Sequence, residues 1–178
     1  METMVKNKKI QIPLSSGINQ IDLKSPQLDD YRATIINLIE TNNQNLQIIT
    51  FFKRYKHRFV TYHTMLYDKP FKCCSFIISY MDDQNKNYIC YGNIIVFYCF
   101  NNRYFALIQR YRTSTKRISY YADLPTEILQ KLDALYPLLE LSNDYDIISV
   151  GSIRHKCVAI RFKGVFCLSE IRADFEHD

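Results

Sequence analysis

The sequence predicts a mainly β fold of the α+β kind: a small, strongly bent antiparallel β-barrel with an N-terminal helix and one short inserted helix. Three observations lead there. The apolar content, 47% of 178 residues, comes largely from 14 Tyr, 11 Phe and β-branched residues, with no Trp and four Gly; such residues suit a pleated, half-buried surface. Apolar residues fall in many short runs separated by small turns, which favours an antiparallel barrel over a parallel α/β sheet. The length suffices for one core and is short for two.

Residues 1–25 mix polar residues with isolated Ile, Val and Leu around a Ser15-Ser16-Gly17 stretch, and are expected to form a flexible arm. Residues 26–45 follow as helix and linker. Ser25 is placed to cap the helix, Pro26 fits its first position, Asp29 and Asp30 suit the positive end of its dipole, and Leu28, Tyr31, Ile35, Leu38 and Ile39 make a helical stripe. The barrel is expected over residues 46–172, with residues 173–178 as a tail.

Within the barrel region, LQIITFF, RFVTYHTMLY and FKCCSFIISYM read as strands, separated by KRYKH and by Asp68-Lys69-Pro70. A polar turn over Met81–Asn87 leads to YICYGNIIVFYCF, whose return strand starts at Arg103 after Asn101-Asn102, residues that tolerate positive φ. Strict alternation puts Ile94, Val96, Tyr98 and Phe100 on one face and Ile95, Phe97 and Cys99 on the other, so both faces are apolar and these rings are expected in the core. In the return strand Tyr104, Ala106 and Ile108 oppose Phe105 and Leu107. Asp123 and Pro125 announce a short helix with Ile128, Leu129, Leu132 and Leu135 inward, ended by Pro137. PLLEL, YDIISV, CVAIRF and GVFCLS then read as four short strands with turns at SND, GSIRH and KG.

The net charge of +5 is unevenly spread. From Phe51 to Lys72, Lys53, Arg54, Lys56, Arg58, Lys69 and Lys72 face only Asp68. From Arg103 to Arg117 there are five cations and no acid. From Ala122 to Ser149, Asp123, Glu127, Asp133, Glu140, Asp144 and Asp146 face only Lys131. FFKRYKHRF (Phe51–Phe59) interleaves cations with rings, as single-strand binding surfaces do, although a solvated basic turn looks the same. RYRTSTKR (Arg110–Arg117) adds hydroxyls suited to phosphate contact. If both stretches lie on one rim, their fields add. The candidate binding residues are therefore Lys53, Arg54, Lys56, Arg58, Arg103, Arg110, Tyr111, Arg112, Lys116 and Arg117.

No enzyme signature, phosphate-binding loop or zinc-protease motif is present, so no catalytic residue, cofactor or small-molecule substrate is expected. Cys73, Cys74, Cys90, Cys99, Cys157 and Cys167 sit in apolar runs and never as C-x-x-C; they read as buried reduced thiols. With His57 and His63 they match no zinc spacing. His155 and His177 read as exposed titratable residues. The apolar runs fall short of a membrane span and the N-terminus lacks an apolar signal core, so a soluble intracellular protein is expected.

Two segments resemble known domains. YGNIIVFY, ALIQRYR and SNDYDIISVGSIRHKCVAI, with Ser142, Asp146, Ile153, Lys156 and Cys157 on matching positions, are similar to bromo-adjacent homology domains, chromatin-associated β-barrels. His63, Thr64, Tyr67, Ser75, Ile77, Tyr80, Tyr91, Gly92, Ile94 and Phe97 resemble a domain of transposon-encoded or transposon-derived proteins. Together the resemblances cover about residues 47–170 and imply a BAH-like, SH3-like barrel, a nuclear setting, and chromatin, histone or nucleic-acid partners. Leu138, Leu139 and Leu141 stand where methyl-lysine readers of that family place cage aromatics, so a trimethyl-lysine cage is not expected.

The sequence is thus expected to encode a noncatalytic module that holds phosphates or an acidic partner through basic loops. The alternatives are a protein-interaction domain docking through a sheet edge or the acidic segment, and an accessory domain of a transposase-like polypeptide.

Overall fold

The computed structural model describes residues 15–57, 60–67, 76–82, 88–117, 123–162 and 164–171. Nine strands occur in it: β1 Ser15–Ile21, β2 Thr50–His57, β3 Val60–His63, β4 Ile77–Met81, β5 Ile89–Phe100, β6 Arg103–Thr113, β7 Leu138–Ser149, β8 Ile153–Phe162 and β9 Val165–Ile171. Two helices accompany them, α1 Asp29–Thr41 and α2 Thr126–Leu135. Six strands close a ring of antiparallel pairs in the order β5, β4, β8, β9, β7, β6 and back to β5. The expected mainly β barrel with two helices is thus present.

Every ring strand contributes to one interior cluster: Ile77, Tyr91, Tyr111, Leu139, Cys157 with Ala159, and Leu168 with Phe166. Buried Ser79, Asn93 and Gln109 lie on strands of the same ring. Gly92 is a requirement of the β5–β6 pairing. A Cβ there would overlap the Ile108 Cγ2 methyl and stand 2.9 Å from the Gln109 carbonyl oxygen.

The β5–β6 hairpin turns at Asn101 and Asn102, with φ of 48° and 60°, as the Asn-Asn pair predicts. Strict alternation along β5 does not hold, however. Ile94 pairs with Ile108 and Val96 with Leu107, leaving Ile95 as an extra residue in a bulge. Consequently Ile94 and Phe97 share one core cluster with Ala106 and Ile108. Ile95, Val96 and Tyr98 join Leu107 in another, with Leu28, Ile35 and Ile39 from the α1 region. The helix therefore packs into one core cluster with strands β5 and β6.

Three further expectations are corrected. Ser15–Ile21, expected in a flexible arm, is strand β1, paired along β2; residues 1–14 lie outside the described residues. Lys53–His57, expected as a connection, is part of strand β2. Ser142-Asn143-Asp144, expected as a turn, lies inside the continuous strand β7. There Gln109 pairs with Tyr145 and Tyr111 with Leu141, so β7 bulges against β6. Side chains hold this bulge: Gln109 Nε2 donates to the Ser142 carbonyl (2.9 Å), while Ser142 Oγ donates to the Arg110 carbonyl and accepts from Asp144 N, both at 3.1 Å.

The helix starts also differ in detail. A 3-10 turn over Pro26–Leu28 precedes α1, and Ser25 serves through its carbonyl, which accepts from Leu28 N, rather than through its hydroxyl. At α2 the capping position falls to Pro125 instead of Asp123. Ile128, expected inward, is 47% exposed.

Candidate nucleic-acid interface

The candidate residues divide between two strands that lie along opposite edges of β5. On one edge, Thr50–Phe52 of β2 pair with Cys99–Phe97 of β5. On the other edge β6 runs beside β5 from Phe100 to Gly92. The basic stretches expected as loops are therefore mainly strand: Lys53, Arg54 and Lys56 lie in β2, and Arg110, Tyr111 and Arg112 in β6. Lys116 and Arg117 follow the end of β6. Arg103 stands at the opposite end of that strand, in a depression with Asn42, Asn43, Phe100 and Phe105. Arg58, together with Cys73, Cys74, Ser75 and His177, lies outside the described residues.

The charge of β6 is largely answered by its neighbour. Sequence places five cations in Arg103–Arg117 and six acids in Ala122–Ser149, and the β6–β7 pairing lays the strand that carries three of those acids, Glu140, Asp144 and Asp146, beside β6. Arg110 Nε meets Asp146 Oδ2 at 3.2 Å, and Arg112 Nη2 lies 3.8 Å from Glu140 Oε2, its direct cross-strand partner. Asp146 Oδ2 also accepts from the Tyr80 hydroxyl at 3.1 Å, and Ser114 Oγ donates to Glu140 Oε1 at 2.6 Å. Lys116 and Arg117 share a depression of about 390 Å³ with Asp133, Thr113 and Pro137. Opposed charges at this spacing leave little net field for a distant anion.

Tyr111, expected as an exposed contact, is a core residue. It is 8% exposed and meets Phe166 edge-on with ring centroids 5.5 Å apart. A larger hollow of about 570 Å³ at this end is lined by Tyr88, Tyr91, Tyr111, Arg110, Arg112 and Asp144, among others. It again mixes cations with a carboxylate.

On β2 the situation is reversed. Its flanking strands are β1, SSGINQI, and β3, VTYH, which contain no carboxylate. Among the described residues, no carboxylate forms an ion pair with Lys53, Arg54 or Lys56. Arg54 is held by aromatic packing instead: its Cζ stands 5.0 Å from the Tyr67 ring centroid, and the His63 ring, cross-strand from Arg54, stacks on Tyr67 at 4.7 Å. Such a cation–π contact orients the guanidinium without cancelling its charge. The roles of His63 and Tyr67 were invisible in the sequence because they depend on the β2–β3 register and on the chain reversing after His63.

Cys90, Cys99, Cys157 and Cys167 are free. Burial pushes the Cys157 thiol up to about 12 and raises Cys90 as well, the latter against the opposing effect of Arg110; both stay protonated near neutrality. Among the described residues no group of His, Cys, Asp and Glu is arranged to hold a metal, and no helix is long and apolar enough to cross a membrane.

Residues that carry the family resemblance have structural roles here. Ser142 holds the β7 bulge, Asp146 joins Arg110 to Tyr80, Ile153 packs against a core cluster, and Cys157 lies inside the barrel. Lys156 is buried, with its Nζ 5.9 Å from the Tyr62 ring centroid. No protein-family model matches the chain, and no curated protein matches it.

Proposed function

We propose that this domain is a noncatalytic module that binds the phosphate backbone of nucleic acid through strand β2. Lys53, Arg54 and Lys56 supply the charge. The observation that carries this reading is the contrast between the two basic strands: the β6 guanidiniums at 110 and 112 are answered by Asp146 and Glu140, whereas the β2 cations have no such partner among the described residues. A strand whose cations are not answered by carboxylates among the described residues is the one available to an external polyanion. The chromatin or mobile-element setting and the nuclear location belong to this proposal only through the resemblance of residues 142–157 and 63–97.

Fluorescence anisotropy with a labelled oligonucleotide at low salt tests it. The unaltered domain is expected to bind, K53A/K56A to bind more weakly, and R112A to bind nearly as well as the unaltered domain. Binding that depends on Arg112 and ignores Lys53 and Lys56 would contradict the proposal. Binding to an acidic peptide but not to an oligonucleotide would assign the same surface to a protein partner.

A further inference from the structure

We infer that the nucleic acid taken by β2 is a duplex, recognised through its backbone, rather than a single strand. This rests on the phosphate-binding reading above and names its ligand class. Proteins that prefer single strands combine cations with aromatic rings on which bases stack, each ring contributing about 1–3 kcal/mol per base. The FFKRYKHRF segment has the composition for that, but its Phe51 and Tyr55 rings are buried, Phe52 packs on Tyr104, and the His57 ring lies against Tyr55 with centroids 6.4 Å apart.

Phe51 is 4% exposed and packs toward Tyr98, with centroids 6.1 Å apart. Tyr55 is 2% exposed, between Phe97 at 5.5 Å and Tyr104 at 5.2 Å. Phe52 packs on Tyr104 at 6.2 Å. Tyr67 has the His63 ring and the Arg54 guanidinium as neighbours. Tyr62, on β3, is buried in the same core as Tyr55. Phe59 lies outside the described residues. Among the described residues the exposed tyrosines, Tyr88 and Tyr136, stand at the start of β5 and the end of α2, not on β2.

With Phe51 and Tyr55 buried and Phe52 packed on Tyr104, the main attraction left to these β2 residues is that between cations and phosphates, which follows the linear charge density of the ligand. Lys53 to Lys56 span about 10 Å of extended strand. Over that length a duplex offers about six phosphates and one of its strands alone about three. The denser lattice is favoured.

The test is a competition between a 20-base-pair duplex and an unstructured oligothymidine of the same length at about 50 mM salt, with the duplex expected to bind at least about threefold more tightly. A second duplex of different base composition is expected to bind equally. Equal or tighter binding of oligothymidine, abolished by K53A/K56A, would overturn the duplex inference and leave the phosphate reading standing. A tenfold or larger difference between the two duplexes would overturn recognition through the backbone alone. No binding of either ligand by a folded domain, or binding indifferent to K53A/K56A, would overturn the phosphate reading itself. K53Q/K56Q, which keeps polar side chains of similar length, guards against loss of binding through misfolding; circular dichroism and the thermal midpoint report on folding in each variant.

Discussion

The salt dependence of binding gives the most direct measure of which cations meet the ligand. Each phosphate neutralised on duplex DNA contributes about −0.9 to the slope of log K against log salt. Lys53, Arg54 and Lys56 acting together therefore give a slope of about −2.7, and affinity falls about 40-fold between about 50 and about 200 mM salt. Engagement of Arg110, Arg112, Lys116 and Arg117 as well would steepen the slope to about −6. The structure opposes that, because two of these four are already ion-paired on β7. K53A/K56A leaves Arg54, for which the slope falls to about −0.9 and the loss over the same range to about 3.5-fold. Anisotropy titrations of one duplex at four salt concentrations, for the unaltered domain and the double variant, measure both slopes. A steep slope near −6, or one that the double variant leaves unchanged, would refute the division of charge between β2 and β6.

Three further outcomes are expected. Asp146→Ala removes the acceptor shared by Arg110 and Tyr80. Because both charged side chains are more than a third exposed to water (39% and 34%), the loss is expected at about 1–2 kcal/mol in urea unfolding, below that of a fully buried pair. Gly92→Ala forces a methyl against Ile108 and the Gln109 carbonyl and is expected to cost about 1–3 kcal/mol, read from the thermal midpoint. Stability is expected to fall as pH rises from about 9 toward about 12. Burial holds the Cys157 proton in the folded state up to about 12, against an ordinary value of 9.0, so over that window the unfolded chain binds fewer protons and the slope of unfolding free energy with pH is negative. Burial raises Tyr80 and Tyr98 in the same direction, and urea titrations across the alkaline range, with Cys157→Ser flattening the fall, check the sign.

Local chemistry made some of this molecule legible from its residues. Asn101-Asn102 announces its hairpin because few other residue pairs accept two successive positive φ angles. The α1 stripe is readable because Leu28, Ile35 and Ile39 repeat at helical spacing and all turn inward. By contrast, the faces of β5 were misassigned beyond Ile94. A single extra residue, Ile95, ends the two-residue alternation, and nothing in IIVFYCF distinguishes the residue that bulges. Likewise Ser142-Asn143-Asp144 has turn composition, yet it sits within a strand because Gln109, 33 positions away, bonds to it.

The candidate interface divides along the same line. That Lys53–Lys56 and Arg110–Arg117 are cation-rich stretches was plain from residue identity, as was the acidic character of Ala122–Ser149. Whether a stretch of charge faces water or a neighbouring carboxylate was not, since that depends on which strands lie side by side. Residue identity and local pattern suffice for a β-rich chain, its main hairpin, its first helix and the position of its charges. Long-range pairing alone closes six strands into a ring, sets β7 against the cations of β6 and buries Phe51 and Tyr55 of β2. These are contacts between residues distant along the chain, set by strand register and by a few bulges, and neither is encoded in any short window of residues.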